Sequence, residues 1–189
     1  MSDKNKKGPE SKTYKFDTLS LHAGYQPHKN AGSRQVPIYQ TTSYQFDSTE
    51  HASNLFALKE LGNIYTRIMN PTCAVLEGRM AAVDGGVAAL ALASGQSASA
   101  FSILNIARAG YYVVSSTDLY GGTWNLFANT LETMGIEVRF VDPSDPEAFR
   151  NATNDKTRAY YAETLPNPKL QVFPIREVAD IGRDLGVPL

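Results

Sequence analysis

From Asn70 onward the apolar residues fall into short blocks whose spacing switches between helical and strand-like. Thr72 can cap a helix whose apolar positions Val75, Leu76, Met80 and Val83 lie at helical spacing, and Gly85-Gly86 can end it. Residues 87–93 then run apolar on both sides, the pattern of a buried parallel strand. A helix is expected over residues 96–108, a strand over 111–115, and a helix from Gly121-Gly122-Thr123 to Met134, stopped by Gly135. Residues 136–141 alternate as a strand, 146–152 suit a short helix, and 158–163 another strand. A last helix over 175–185 ends at Gly186, and Val187-Pro188-Leu189 reads as the start of a further strand. Such alternation with short links predicts a doubly wound α/β domain: a mainly parallel sheet with helices on both faces.

Upstream the pattern is weaker. Residues 1–15 are polar and read as a disordered tail, and 16–62 carry little regular signal. Pro27, Gly32 and Pro37 punctuate that stretch, and Gln40-Thr41-Thr42-Ser43 suggests an extended arm. Residues 48–61 can hold a short helix, with Ala52, Leu55, Phe56 and Leu58 on or near one side.

Composition narrows the function. With 42% apolar and 20% charged residues the chain can build a core. A net charge of −1 removes the electrostatic case for nucleic acid or an anionic membrane, and Lys4, Lys6 and Lys7 read as a solvated end. The single cysteine, Cys73, has no intrachain partner, which favours a reducing compartment. The start lacks the apolar stretch of a secretory signal, and the 87–93 run is too short to span a bilayer. A soluble, cytoplasmic protein is expected. Cys73 and the histidines show no metal-ligand spacing.

Ligands of open parallel sheets sit beyond the carboxyl ends of the strands, so the strand exits are the places to look. Ser94-Gly95-Gln96-Ser97 joins the 87–93 block to a helix; its free amides suit an anion, although a plain strand-to-helix turn has the same composition. It lacks the spacing of a P-loop, a dinucleotide fingerprint or a serine-hydrolase elbow. Tyr120 before Gly121-Gly122 offers an aromatic face beside a sharply turning backbone, as a planar ligand needs; a core tyrosine at a helix entry is the plainer alternative. Tyr65 and Arg67, two apart in a segment expected to be extended, would face one way and could grip one anion, or be a core tyrosine and a surface arginine. Glu163-Thr-Leu-Pro-Asn167-Pro168 brings a carboxylate, a hydroxyl and an amide to a third exit, or is simply a proline turn.

Taken together, Tyr65-Thr-Arg67, Asn70-Pro-Thr72, Ser94-Gly95, Tyr120-Gly-Gly-Thr123 and Glu163-Thr-x-x-Asn167-Pro168 resemble the pyridoxal-phosphate (PLP) enzymes of cysteine and methionine metabolism. The resemblance runs from about Thr18 to Leu189. Ser20-Leu-His-Ala-Gly24, Pro37-Ile-Tyr-Gln-Thr-Thr-Ser-Tyr44, residues 62–72 and residues 119–127 resemble the O-acetylhomoserine sulfhydrylase branch in particular.

The resemblance implies the PLP-dependent transferase fold (aspartate aminotransferase-like, fold type I). It implies an arm over 16–62 that reaches a neighbouring subunit, and an incomplete large PLP-binding domain over 63–189. Ser94 and the amides of Gly95 and Gln96 would hold the cofactor phosphate. Tyr120 would stack on the pyridine ring and assist proton transfer. Tyr65 and Arg67 would reach the phosphate of the neighbouring subunit's cofactor, in a homo-oligomer, a tetramer, with shared active sites. Asn167 would lie near the ring hydroxyl, supported by Glu163. The Schiff-base lysine in its Ser-x-Thr-Lys setting, the aspartate facing the pyridine nitrogen and the substrate-carboxylate arginine would fall beyond Leu189. None of Lys29, Lys59, Lys156 or Lys169 has the lysine's setting, so a longer product or a second chain would supply it. The implied reaction is γ-replacement on O-acetyl-L-homoserine by a sulfur donor. Cystathionine γ-synthase and methionine γ-lyase activities stay open, as does a non-catalytic module that binds PLP phosphate or serves assembly.

Overall fold

The structure, a computed structural model, describes residues 14–27 and 32–189. Most of the expected tail, and Lys29, lie outside the described residues. The chain divides into two compact units, one ending at Ala91 and the other spanning Leu92–Leu189.

In the first unit, α1 (Phe16–His22), α2 (Thr49–Phe56) and α3 (Pro71–Asp84) are joined by irregular chain. The α1 helix is a departure from expectation. Gly24, at φ +77°, lies so close to the α3 backbone at Val75 and Arg79 that a side chain has no room there. Arg79 Nε donates to the Ala23 carbonyl at 3.0 Å. Helix α2 lies within the expected 48–61 stretch and is capped by Ser48, whose hydroxyl accepts from His51 N, but it stops at Phe56 because Leu58 turns to φ 54°. Asn70, not Thr72, caps α3: its side-chain Oδ1 accepts from Thr72 N at 2.8 Å. The Thr72 hydroxyl is otherwise engaged, donating to Pro37 O and accepting from Tyr39 N. Gly85 ends the helix in the left-handed conformation, as expected.

The block at residues 87–93 forms no strand, and Val87 and Leu90 are exposed. A strand exists only through hydrogen-bonded neighbours, and a two-sided apolar run needs them on both edges. Its Ala91 amide instead donates to the Glu77 carboxylate at 2.9 Å.

The second unit carries a parallel sheet of β1 (Tyr112–Ser116), β2 (Glu137–Val141) and β3 (Thr157–Tyr161) in the order β2-β1-β3. Each lies within a residue or two of its expected range. Alternation along the strands sends neighbouring residues to opposite faces. Val113 and Ala159 pack with Ile103 of α4 (Gly95–Ile106), and with Phe127 and Leu131 of the helix that follows β1. Val114 and Tyr160 pack on the other face with Phe149 of α7 (Pro146–Ala152) and Val178 and Ile181 of α8 (Ile175–Leu185). Helices therefore cover both faces, as the pattern predicted. The helix after β1 is one run of α5 (Gly121–Asn125), a π-helical turn (Leu126–Thr130) and α6 (Leu131–Thr133). Beyond α8, residues 187–189 form no strand, although Tyr160 N of β3 donates to Pro188 O at 2.8 Å. No helix among the described residues is long and apolar enough to cross a membrane.

Candidate functional site

Three segments meet at the carboxyl ends of the second unit's strands. The first is the start of α4. Ser94 is extended (φ −154°, ψ 156°), and its hydroxyl accepts from Ser97 N at 3.1 Å. That cap satisfies Ser97 and leaves the amides of Gly95 and Gln96 without an acceptor among the described residues. A Cβ placed on Gly95 meets nothing within 4 Å, so the space beside its Cα is open. Free amides at the positive end of a twelve-residue helix make a place for an anion.

The second segment follows β1. Ser116 Oγ accepts from Asp118 N at 2.9 Å and turns the chain, so that Tyr120 precedes the first turn of α5 with its side chain 51% exposed. The Tyr120 ring lies against Gly122: a Cβ there would stand 2.6 Å from Tyr120 Cε1 and 3.2 Å from Gln96 Nε2. Only glycine admits the ring and the amide together. Gln96 Nε2 donates to Thr123 Oγ1 at 3.1 Å, fastening the start of α4 to the start of α5. Ser94, Gly95, Gln96 and Tyr120 are thereby brought together.

The third segment follows β3. Glu163 Oε1 accepts from the Tyr120 amide at 2.9 Å, so this carboxylate fixes the backbone that carries the ring. Asn167, whose bond to Pro168 is cis, stands exposed on the 164–170 loop and joins none of these contacts. At the exit of β2 the Ser144 hydroxyl and amide both donate to Asp142 and hold its carboxyl below the ordinary value, with the Lys169 charge acting in the same direction.

The remaining expected pair belongs to the first unit. Tyr65 bridges Ser43 in an antiparallel contact, but residues 65–68 form a turn rather than the expected extended segment, closed by Ile68 N to Tyr65 O at 2.9 Å. The turn still sets the two side chains together, with Arg67 Cζ 5.4 Å from the Tyr65 ring centroid. Both are exposed. Asn70 Nδ2 donates to Tyr39 O and Thr66 Oγ1, and Thr66 Oγ1 donates to Thr41 O, tying the turn to the polar segment the sequence marked as extended.

Sequence reasoning missed Thr123 as the acceptor for Gln96, and the ion pair of Lys169 with Asp118. Both lie inside or beside the strand-exit motifs, but nothing local indicates which distant residue each meets.

The donor set suits a phosphate-bearing planar ligand: unpaired amides for the phosphate and a half-exposed ring beside them. Known proteins agree with that chemistry. The family model described as "Cys/Met metabolism PLP-dependent enzyme" matches residues 17–189. An O-acetyl-L-homoserine sulfhydrylase of Leptospira meyeri is 57% identical over 178 residues, 94% of this chain and 40% of the relative. O-acetyl-L-homoserine sulfhydrylase 1 of Thermus thermophilus is 54% identical over 176 residues, covering 93% and 42%. The solved O-acetylhomoserine (thiol)-lyase of Campylobacter jejuni superposes with a TM-score of 0.88 at 36% identity, covering 93% of this chain and 43% of its own. That protein carries N'-pyridoxyl-lysine-5'-monophosphate. The chain thus spans less than half the length of the relatives it matches. Its sheet, with helices on both faces, is part of the PLP-dependent transferase fold of these neighbours. A family match over nearly all of its residues, and strand exits furnished for a phosphate and a flat ring, place the chain in the family of PLP-dependent enzymes of cysteine and methionine metabolism.

Proposed function

We propose that this chain forms part of an O-acetylhomoserine sulfhydrylase, which converts O-acetyl-L-homoserine and a sulfur donor to homocysteine and acetate. The observation that carries the reading is that the start of α4, with its unpaired Gly95 and Gln96 N–H groups, is fastened beside the Tyr120 ring by the Gln96 side chain, whose Nε2 faces that ring across Gly122 and donates to Thr123 Oγ1. The branch is supported by the sulfhydrylases at 57% and 54% identity. PLP, when bound, supplies an electron sink for the negative charge left on the substrate as protons depart.

The chain's own residues do the rest. Gly95 and Gln96 N–H donate to the phosphate, while Ser94 keeps the helix start in shape by occupying Ser97 N. Tyr120 would stack on the pyridine ring, and its Oη would assist proton transfer. Glu163 holds Tyr120 at its backbone, and Asn167, on the loop that follows, would lie near the ring hydroxyl. Tyr65 and Arg67 reach the cofactor phosphate of a neighbouring subunit, within a homotetramer whose sites are shared. Three further groups would come from outside residues 1–189, in a longer product or on a second chain: the lysine that holds the aldehyde, the aspartate that keeps the ring nitrogen protonated and the arginine for the substrate carboxylate.

Release of acetate and homocysteine from O-acetyl-L-homoserine with sulfide by the complete enzyme tests the reading directly, residues 1–189 alone being expected inactive. Turnover on that pair should exceed turnover of cystathionine or methionine. Preference for either of those substrates, or no turnover of any, would overturn it. A second expectation concerns the lysines. Residues 1–189 incubated with PLP and reduced with borohydride should carry no stable pyridoxyl group at Lys29, Lys59, Lys156 or Lys169. Lys169 in particular is already engaged by the Asp118 carboxylate. A stoichiometric adduct at any of the four, located by peptide mass, would refute this placement of the Schiff-base lysine.

A further inference from the structure

The Asp118–Lys169 pair joins two loops of the candidate site. Asp118 lies two residues before Tyr120, after the central strand β1, and Lys169 lies two residues after Asn167. Lys169 Nζ stands 2.5 Å from Asp118 Oδ1, and the Thr117 hydroxyl donates to the same oxygen at 3.2 Å. The carboxylate side chain is 3% exposed while the lysine side chain is 64% exposed. Burying a carboxylate in this way has a desolvation cost that a single half-exposed lysine offsets only in part, so the pair is poorly explained as a device for stability.

The 164–170 loop shows what the pair does. Its backbone hydrogen bonds are local: Leu170 N donates to Pro166 O at 2.7 Å, and Phe173 N to Thr164 O at 3.1 Å. Those bonds fix the shape of the loop and not its location. Among the described residues, the Lys169–Asp118 contact is the only polar tie from the loop to another element of the unit. It acts in concert with Glu163, which sits at the head of the same loop and holds the Tyr120 amide. The β1 exit and the β3 exit are therefore clasped twice, once at Tyr120 and once at Asp118.

We propose that Asp118 and Lys169 are positioning residues, a latch that sets the 164–170 loop against the β1 exit and thereby fixes Asn167 and Tyr120 relative to one another. The catalytic consequence rests on the PLP reading of the site; the placement of the loop does not.

The test separates the two. In the cofactor-free protein, amide hydrogen exchange is measured for Tyr120, Leu170 and Phe173 in the native sequence, Lys169→Met and Lys169→Arg. Lys169→Met should speed these amides by about fivefold or more, the factor that one kcal/mol of local stability is worth. Val113 and Val114 should be unchanged, and Lys169→Arg should restore protection. The same variants are then compared in the complete, PLP-loaded enzyme. Lys169→Met should lower kcat by about tenfold or more with little change in KM, since misplacing reacting groups by about 1 Å costs on the order of a hundredfold. It should also alter the visible circular dichroism of the bound cofactor. Equal exchange in Lys169→Met and the native sequence overturns the latch. So does a loosened loop with kcat and cofactor dichroism unaltered. Failure of the complete native enzyme to bind PLP would instead overturn the functional reading, and the exchange result would stand apart from it.

Discussion

Phe149→Ala should lower the melting temperature of the protein by about 12 °C or more. Phe149 is fully buried (0% exposed), and its ring meets Tyr160 and Phe173 edge-on at centroid separations of 5.5 and 5.7 Å. It is the point at which α7 closes over one face of the sheet, among Val114, Val178 and Ile181. Removing a buried phenyl group costs about 3–5 kcal/mol, from lost transfer free energy and the cavity left behind. In a unit of this size each kcal/mol is worth about 4 °C or more, which sets the expected shift. Phe101→Ala, at a position 55% exposed on α4, is the matched control and should stay within about 0.5 kcal/mol of the native protein. Thermal unfolding followed by far-ultraviolet circular dichroism reads both. A Phe149→Ala protein that melts within a few degrees of the parent would show that this face of the sheet is not a packed core.

Those same contacts explain why the second unit was so legible. Its strands are short apolar blocks closed off by Gly110, Gly135, Pro146 and Gly186, residues whose backbone preferences act locally. The helix at Pro146–Ala152 has proline in its first turn and the helix at Ile175–Leu185 ends at a left-handed Gly186, so local chemistry marks their ends. The 87–93 block carries the same hydrophobic signature as β1 and forms no strand. Apolarity states that a segment needs partners; it does not say which, or whether they are at hand. Helix α1 failed in the opposite sense. It buries no residue of its own, and its anchors, the Gly24 approach and the Arg79 bond, come from α3 some fifty residues on. No local pattern carries that information.

The site divides along the same line. Knowing that ligands gather at strand exits was enough to single out Ser94, Gly95, Gln96, Tyr120 and Glu163, and the structure unites them. The bonds that unite them span 27 residues for Gln96 to Thr123 and 43 for Tyr120 to Glu163. Their existence depends on strand order, with β1 between β2 and β3, which one sequence does not fix. The extended geometry expected at Tyr65 and Arg67 gave way to a turn because Asn70 and Thr66 take up neighbouring carbonyls, a competition of side chains for backbone that propensity rules do not rank.

Arg67→Lys should weaken PLP retention in the complete enzyme while leaving each subunit folded. Arg67 is exposed in the turn after Tyr65, so its replacement removes no core contact, and the Tyr65 ring beside it holds the guanidinium in one orientation. A guanidinium offers two parallel donors to a phosphate, a fork that an ammonium on a flexible stem cannot reproduce. Losing such a charge-assisted contact costs about 1.5–3 kcal/mol, or about tenfold and more in cofactor affinity. Dialysis against buffer, followed by the residual visible absorption, measures that loss. The geometry is tested by mixing the variant with one that lacks the Schiff-base lysine. If Arg67 serves the neighbouring subunit, one site of a mixed dimer carries both defects and the other carries neither, so activity returns to a level neither parent reaches. If Arg67 serves its own subunit, each site of that dimer keeps one defect and no activity returns. Mixed dimers verified by mass and still inactive would therefore place Arg67 in its own subunit's site, or outside any site.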